Sequence, residues 1–329
     1  MDSAASRKCF KCGKDGHLRK DCPNKRKSEF HNAKCYLCGR HGHYQKECPA
    51  ASEVACKTKS STAQKSFRKK PPSDISCIDS TKTFIDTHCH VEYVYERFKH
   101  CGSFKEFQNK VAFPGCFEGC ITTFCDPAAF SSFGLWKEIL AEDNIWGTFG
   151  CHPHNAKYYN ENLEAKILHC MDHPKAIALG EIGLDYSNHS PSPPMKQKDI
   201  FAKMCRWAVR LQKPIIVHCR NAEEDTYEIL QNCVPHDWKI HLHCHSGSAQ
   251  FTPKFLQSFT NIYVGFTGLV TFAKAKNIHE LAFDWPLEKL LIETDSPYHV
   301  PAQVSNDFQW SHTGLAIYVA ERLAEKVVQ

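Results

Sequence analysis

The stretch TFIDTHCHVEY, residues 83–93, sets His88 and His90 one residue apart among apolar and β-branched neighbours. Side chains at i and i+2 of a β-strand share a face, roughly 6–7 Å apart, so both imidazoles can lean onto one metal ion. A lone pair of this kind is also what the polar end of a strand carries, and the rest of the chain decides between the two. Comparable pairs recur downstream: His152 and His154, Glu181 and Asp185, His218 and Arg220, His243 and His245, Glu293 and Asp295. Imidazole and carboxylate together suit Zn²⁺, Mn²⁺ or other first-row ions better than an all-oxygen site would.

A second donor chemistry lies near the N-terminus, in an internal repeat. CFKCGKDGHLRKDC carries Cys9, Cys12, His17 and Cys22; CYLCGRHGHYQKEC carries Cys35, Cys38, His43 and Cys48. Both follow C-x2-C-x4-H-x4-C, and three thiolates with one imidazole close a structural, tetrahedral Zn²⁺ site. A module this small has almost no core, so zinc binding and folding are one event. The pattern resembles the retroviral-type CCHC zinc knuckle, including the aromatic after the first Cys, Phe10 and Tyr36. That resemblance implies binding of single-stranded nucleic acid, with Phe10 and Tyr36 stacking on bases and flanking Lys and Arg on phosphates; some knuckles bind protein instead.

The elements that must position the downstream pairs are legible as alternation. Strand-length apolar runs are predicted at 84–91, 119–127, 145–154, 176–186, 214–220, 239–245, 261–268 and 290–298. Amphipathic helical stretches lie between them, among them 130–143, 163–173 and 194–212. Eight β/α repeats predict an α/β fold of the (β/α)8 barrel type. A doubly wound sheet is the alternative, but no Gly-rich phosphate loop follows the first strand. In a barrel, functional groups sit at the C-terminal ends of the strands, where the His and acid pairs fall. Cys89, Cys219 and Cys244 each adjoin one of these residues, so strand period 2 turns them to the opposite side as small packing residues. By the same parity His241, His243 and His245 face one way, and His245 is placed to contact substrate or compete for a metal.

Composition divides the chain. Residues 1–83 hold 19 Lys+Arg against 8 Asp+Glu, a net +11, while residues 84–329 hold 22 against 28, a net −6. A basic arm on a mildly acidic body points to a polyanionic partner. Residues 51–82 are rich in Ser, Thr, Lys and Pro without hydrophobic period and read as a flexible tether. The expected organisation is therefore knuckles over 1–50, tether over 51–82 and barrel over 83–329. No apolar run reaches the ~18–20 residues that span a bilayer, and the start MDSAASRKCFKC has no signal-peptide core. An intracellular chain, nuclear or cytoplasmic, is expected, its 19 cysteines serving as metal ligands or small buried residues rather than disulfides.

The motifs DTHCH, GCHPH, GEIGLDY, VHCR, HCHSGS and ETDSPY, in that order, resemble those of the TatD deoxyribonuclease family along 84–329, and the ending SHTGLAIYVAERLAE is similar to its animal subgroup. The resemblance implies one divalent cation on His88, His90, Glu181 and Asp295, and a second on Glu181, His218 and His243. It also implies Asp295 as general base toward an attacking water, and His152, His154 and Arg220 as contacts to substrate phosphates. The metals are described as Mg²⁺, Mn²⁺ or Zn²⁺, and the activity as 3′–5′ exonuclease on single-stranded DNA, RNA or both. A barrel without catalysis that only binds nucleic acid, and a hydrolase of small amides, are the alternative functions. The strand-4 position that carries Lys in carbamate-bridged amidohydrolases holds Glu181 here, which argues against the latter.

Overall fold

The computed structural model describes residues 82–111, 113–131 and 134–327. The knuckle ligands, Phe10, Tyr36 and the tether lie outside them. Among the described residues, eight parallel strands follow one another around a single sheet in chain order: β1 (Phe84–Cys89), β2 (Phe117–Phe124), β3 (Ile145–Phe149), β4 (Ala176–Asp185), β5 (Ile215–Arg220), β6 (Ile240–His243), β7 (Ile262–Phe266) and β8 (Leu290–Ile292). The crossovers carry helices: α1 (Val91–Phe98) and α2 (Phe104–Val111) after β1, α3 (Trp136–Leu140) after β2, and α4 (Glu161–Cys170) after β3. Then come α5 (Pro194–Arg210), α6 (Glu223–Cys233), α7 (Thr252–Ser258), α8 (Lys276–Asp284) and, last, α9 (Ala316–Val327). The predicted (β/α)8 barrel is the fold observed.

The sequence builds these layers in the expected way. A parallel strand is covered on both faces and so reads as an apolar run; Ile215 to Cys219 of β5 are all buried. The longest helix, α5, starts with Pro194, whose fixed φ suits the first turn. It turns Ile200, Phe201, Met204, Cys205 and Ala208 inward, on one face at helical spacing.

Several predicted elements end early. The expected helix over 130–143 is a 3-10 turn at Pro127–Phe130 and a separate α3. Gly134 between them lies so close to the Ala129 carbonyl that a Cβ would stand 1.9 Å from its oxygen. More consequential, β1, β3, β6 and β8 leave the ladder before the predicted ends. His90 is not in β1 but at the position preceding α1, and Asp295 lies three residues beyond β8. Side chains held in register point side by side, whereas chains that leave the sheet can converge on one point.

The ladder itself runs from β1 to β8 without a β8–β1 pairing. That seam is closed by other bonds. The Asp295 N–H donates to the His88 carbonyl at 2.9 Å and the His90 N–H to the Ser296 carbonyl at 2.8 Å. Buried Asp86 accepts from the Thr294 N–H at 3.0 Å and its hydroxyl at 2.6 Å, and the Thr87 hydroxyl donates to the Ile292 carbonyl at 3.0 Å.

One buried histidine serves no site. His312 is 1% exposed, with both ring nitrogens unpartnered, among Phe98, Phe107, Phe113 and Phe308. Burial pushes its pKa down to about 3. A folded-state pKa below the unfolded one means that the unfolded chain binds the proton first, so stability is lost as pH falls from about 6.5 toward 3. Between pH 8 and pH 5 this group alone removes about 2 kcal/mol. The difference in urea-unfolding free energy between His312→Phe and wild type is expected to grow by that amount over the same interval. A difference that does not change with pH would show that His312 is accessible to water or paired.

Candidate active site

The strand ends converge on a cavity of about 450 Å³ lined by, among others, His90, His152, His154, Glu181, Asp185, His218, Arg220, His243 and Asp295. Glu181, on β4, is 2% exposed and lies at its centre. Its two carboxylate oxygens face different partners. Oε2 lies 3.8 Å from His88 Nε2 and 3.9 Å from His90 Nε2. Oε1 lies 2.7 Å from His218 Nδ1 and 2.9 Å from His243 Nε2. Asp295 Oδ1 completes the first side, 3.6 Å from His88 Nε2 and 3.3 Å from His90 Nε2. Thus the six residues expected to hold metal are brought together, with one carboxylate between two groups of histidines.

His88 Nε2 and His243 Nδ1 are buried without a hydrogen-bond partner, an unfavourable condition that a cation can relieve at His88 Nε2. The separations around that atom exceed hydrogen-bond length, but donors about 2.0–2.2 Å from one ion stand roughly 3–3.6 Å apart. Neighbouring groups fix the rings. His90 Nδ1 lies 3.1 Å from the Thr123 carbonyl and so carries the proton, leaving Nε2 as the donor atom toward Glu181 and Asp295. His88, His90 and Asp295 form one close group of donor atoms; His88, Glu181 and His243 form another, and His152, Glu181 and His218 a third. The residues fit.

Charge follows the same division. Burial alone would raise the Glu181 pKa, but His243, His152 and His218 around it hold the carboxyl well below its usual range. Burial likewise opposes ionisation of Asp295, and the hydrogen bonds of His299 and His90 overcome it. His88, fully buried, is pushed well below the ordinary histidine value by burial and by His243. Burial would lower His243, yet Glu181 beside it raises it well above. Protons on the Glu181 Oε1 side thus stand where cation binding would release them.

His152, expected to touch phosphate, sits deeper than a rim residue. Its Nδ1 accepts the His154 N–H at 3.1 Å, which leaves the proton on Nε2, 3.5 Å from Glu181 Oε1. Burial brings its pKa down to about 3, so the neutral ring faces the cavity as a hydrogen-bond donor. His154 and His218 both put Nε2 on Asp185 Oδ2, at 2.9 and 3.1 Å. Asp185 therefore orients His218, and His154 is tied to it. Arg220 is exposed at the mouth. Gly183 has φ +143°, and a Cβ there would stand 2.0 Å from the His218 carbonyl oxygen. Only glycine lets β4 pass β5 this closely beside the site.

Two readings based on strand parity fail. Parity ends with β6 at His243. Beyond it, His245 is buried near Glu223 and is not among the residues that line the cavity or form the close donor groups. Cys244, expected to pack behind the sheet, turns into the cavity with φ +43°. Cys89 does face away, its thiol on the Ile121 carbonyl, whereas Cys219, read the same way, is buried in β5 yet stands among the residues that line the cavity. Tyr93, Asn155, Tyr298 and His299 also line the cavity and were not singled out from sequence; they lie in helices or loops that carry no strand period to aim them.

The model of the TatD related DNase family matches residues 85–328, and the zinc knuckle model matches 7–24 and 33–50. A human protein named 3′-5′ RNA nuclease TATDN2 is 43% identical over 244 residues, covering 73% of this chain and 32% of that protein. The chain thus spans about a third of that relative's length. A Salmonella typhimurium protein named 3′-5′ ssDNA/RNA exonuclease TatD is 35% identical over 163 residues, 49% of this chain and 62% of that one. In fold, the chain is similar to the solved structure of YJJV, a TatD homologue from Escherichia coli, with a TM-score of 0.62 at 22% identity, covering 74% of this chain and 90% of that one. Through a family match that takes in every strand and all six clustered donors, this chain belongs to the TatD related DNase family.

Proposed function

We propose that the chain is a metal-dependent 3′–5′ nuclease on single-stranded DNA, RNA or both. The barrel over 83–329 cleaves, and the two knuckles over 1–50, joined by the tether over 51–82, hold the strand. One observation carries the reading: Glu181 turns Oε2 toward His88 and His90 and Oε1 toward His218 and His243. A single carboxylate so placed could serve two divalent cations, which would supply the charge that phosphoryl chemistry needs. We assign one to His88, His90, Glu181 and Asp295, and the other to Glu181, His218 and His243. Divalent cations bound there, Mg²⁺, Mn²⁺ or Zn²⁺, supply Lewis-acid polarisation of the phosphoryl oxygens and ease deprotonation of water.

The chain's own residues do the rest. Asp295 accepts the proton of the attacking water. His152 donates its Nε2–H to a phosphoryl oxygen, Arg220 pairs with the phosphate at the mouth, and His154 braces Asp185, which holds His218 in orientation. The names of the human and Salmonella relatives support the 3′–5′ polarity, and that of the Salmonella relative a single-stranded substrate.

The test is hydrolysis of 5′-labelled single-stranded DNA and RNA of one sequence with each added metal. A ladder shortening from the 3′ end, dependent on the cation, is the expected result; tight binding with no cleavage under any metal would favour a barrel that only binds. The knuckles are tested separately. Changing Cys12 and Cys38 to Ser is expected to weaken strand binding and flatten its salt dependence, while hydrolysis of a dinucleotide stays nearly intact. Equal loss of both in a filter-binding and a turnover assay would refute independent modules.

A further inference from the structure

Asp295 uses only one oxygen on the inner donor group. Its Oδ1 faces His88 and His90, while Oδ2 lies 3.4 Å from His299 Nε2. Cys244 joins on that outer side: a sulfur, an imidazole nitrogen and a carboxylate oxygen of Cys244, His299 and Asp295 all lie within 4.8 Å of one another. Donors on one tetrahedral Zn²⁺ stand roughly 3.3–3.8 Å apart, so small side-chain movements close the group. All three line the cavity mouth.

The backbone makes this convergence unusual. Cys244, Asp295 and His299 have φ of +43°, +50° and +53°, three of the six non-glycine residues with positive φ among those described. Non-glycine side chains rarely adopt that region, and here it turns three donors from two separate loops toward one point. The Cys244 N–H donates to Glu293, which fixes the turn. Glu293 is in turn 2.8 Å from His241, behind the site.

We propose that Cys244, His299 and Oδ2 of Asp295 form an outer cation site at the mouth, selective for a thiophilic ion of the Zn²⁺ class. A thiolate with an imidazole and a carboxylate is a Zn²⁺ donor set, and three protein ligands leave a position open to the cavity. Mg²⁺, which binds through oxygen and retains its waters, has no affinity for the sulfur. The site shares Asp295 with the inner cage proposed above, and a cation on Oδ2 would take that oxygen from its role as base.

The experiment uses the full chain, so that the knuckle thiols are common to every sample. Zn²⁺ stoichiometry is measured after equilibrium dialysis for wild type, Cys244→Ser, His299→Gln and Glu181→Ala. Alkylation of Cys244 by iodoacetamide is followed by peptide mass spectrometry with Zn²⁺ or with Mg²⁺ alone. Cys244→Ser and His299→Gln should each bind one Zn²⁺ fewer than wild type. In wild type, Zn²⁺ but not Mg²⁺ should slow Cys244 alkylation about tenfold, because the bound thiolate is no longer a free nucleophile, and His299→Gln should abolish that protection. Unchanged stoichiometry in both variants, or alkylation indifferent to Zn²⁺, would overturn the outer site and leave His299 as a hydrogen-bond partner of Asp295. Glu181→Ala separates this proposal from the function proposed above. Cys244 protection that survives there, with inner equivalents lost, supports both; wild type with a protected Cys244 but no further barrel equivalents would sink the inner cage and keep the outer site.

Discussion

Replacing Glu181 by Ala is expected to lower the nuclease rate by roughly 10³-fold or more, with either Mg²⁺ or Mn²⁺ supplied. The size follows from position. Other ligands serve one side of the cavity, but Glu181 presents Oε2 to His88 and His90 and Oε1 to His218 and His243. Losing it removes a donor from both sides at once. It also removes the negative charge that holds the pKa of His243 up. Adding metal to high concentration should therefore not rescue the variant. Circular dichroism and thermal melting of the same sample would verify that the barrel persists. Cleavage that persists in a folded Glu181→Ala protein would mean that the cage is assigned to the wrong residues.

The second large effect is expected from Asp295→Asn, which keeps shape and removes the base. A loss of about 10²–10⁴-fold in kcat is expected, the range for a general base, with strand affinity unchanged where the knuckles hold the strand as proposed. The carboxylate is held well below its ordinary pKa by the hydrogen bonds of His299 and His90 against the effect of burial. It therefore stays ionised across neutral and mildly acid pH, and the wild-type rate should not fall there on its account. Single-turnover cleavage of a short labelled strand measures the chemical step directly. A variant that fails mainly in KM would make Asp295 a binding residue.

How far these residues could be read from sequence depended on whether a regular element carried them. His88, His218 and His243 lie on strands, and their period placed them correctly; Glu181 and Asp185 near the end of β4 likewise. His90 arrives at the same cluster by another route, as the residue before α1 rather than as part of β1. Where the backbone leaves the ladder, parity has no meaning, so Cys244 was turned the wrong way and His245 was brought to a cavity it does not line. His299 was not visible at all, since its direction is set by a left-handed loop residue and not by a repeat. The helix between β2 and β3 was overdrawn because an apolar run conceals the close approach at Gly134. The eight-strand order was legible because each apolar run, however trimmed, still marks one stave.

The seam between β1 and β8 also bears on how the molecule comes into being. His88 and His90 are made near the start of the barrel, and their partner Asp295 about 205 residues later, as are the groups that bridge the seam. During synthesis the two early histidines stand without their acid until the last stave docks. A barrel lacking that stave has the histidines but not the proposed base, and on the proposed function would not cut. For a nuclease of the proposed kind, made on a ribosome that is itself largely nucleic acid, closing the ring would also be what arms it.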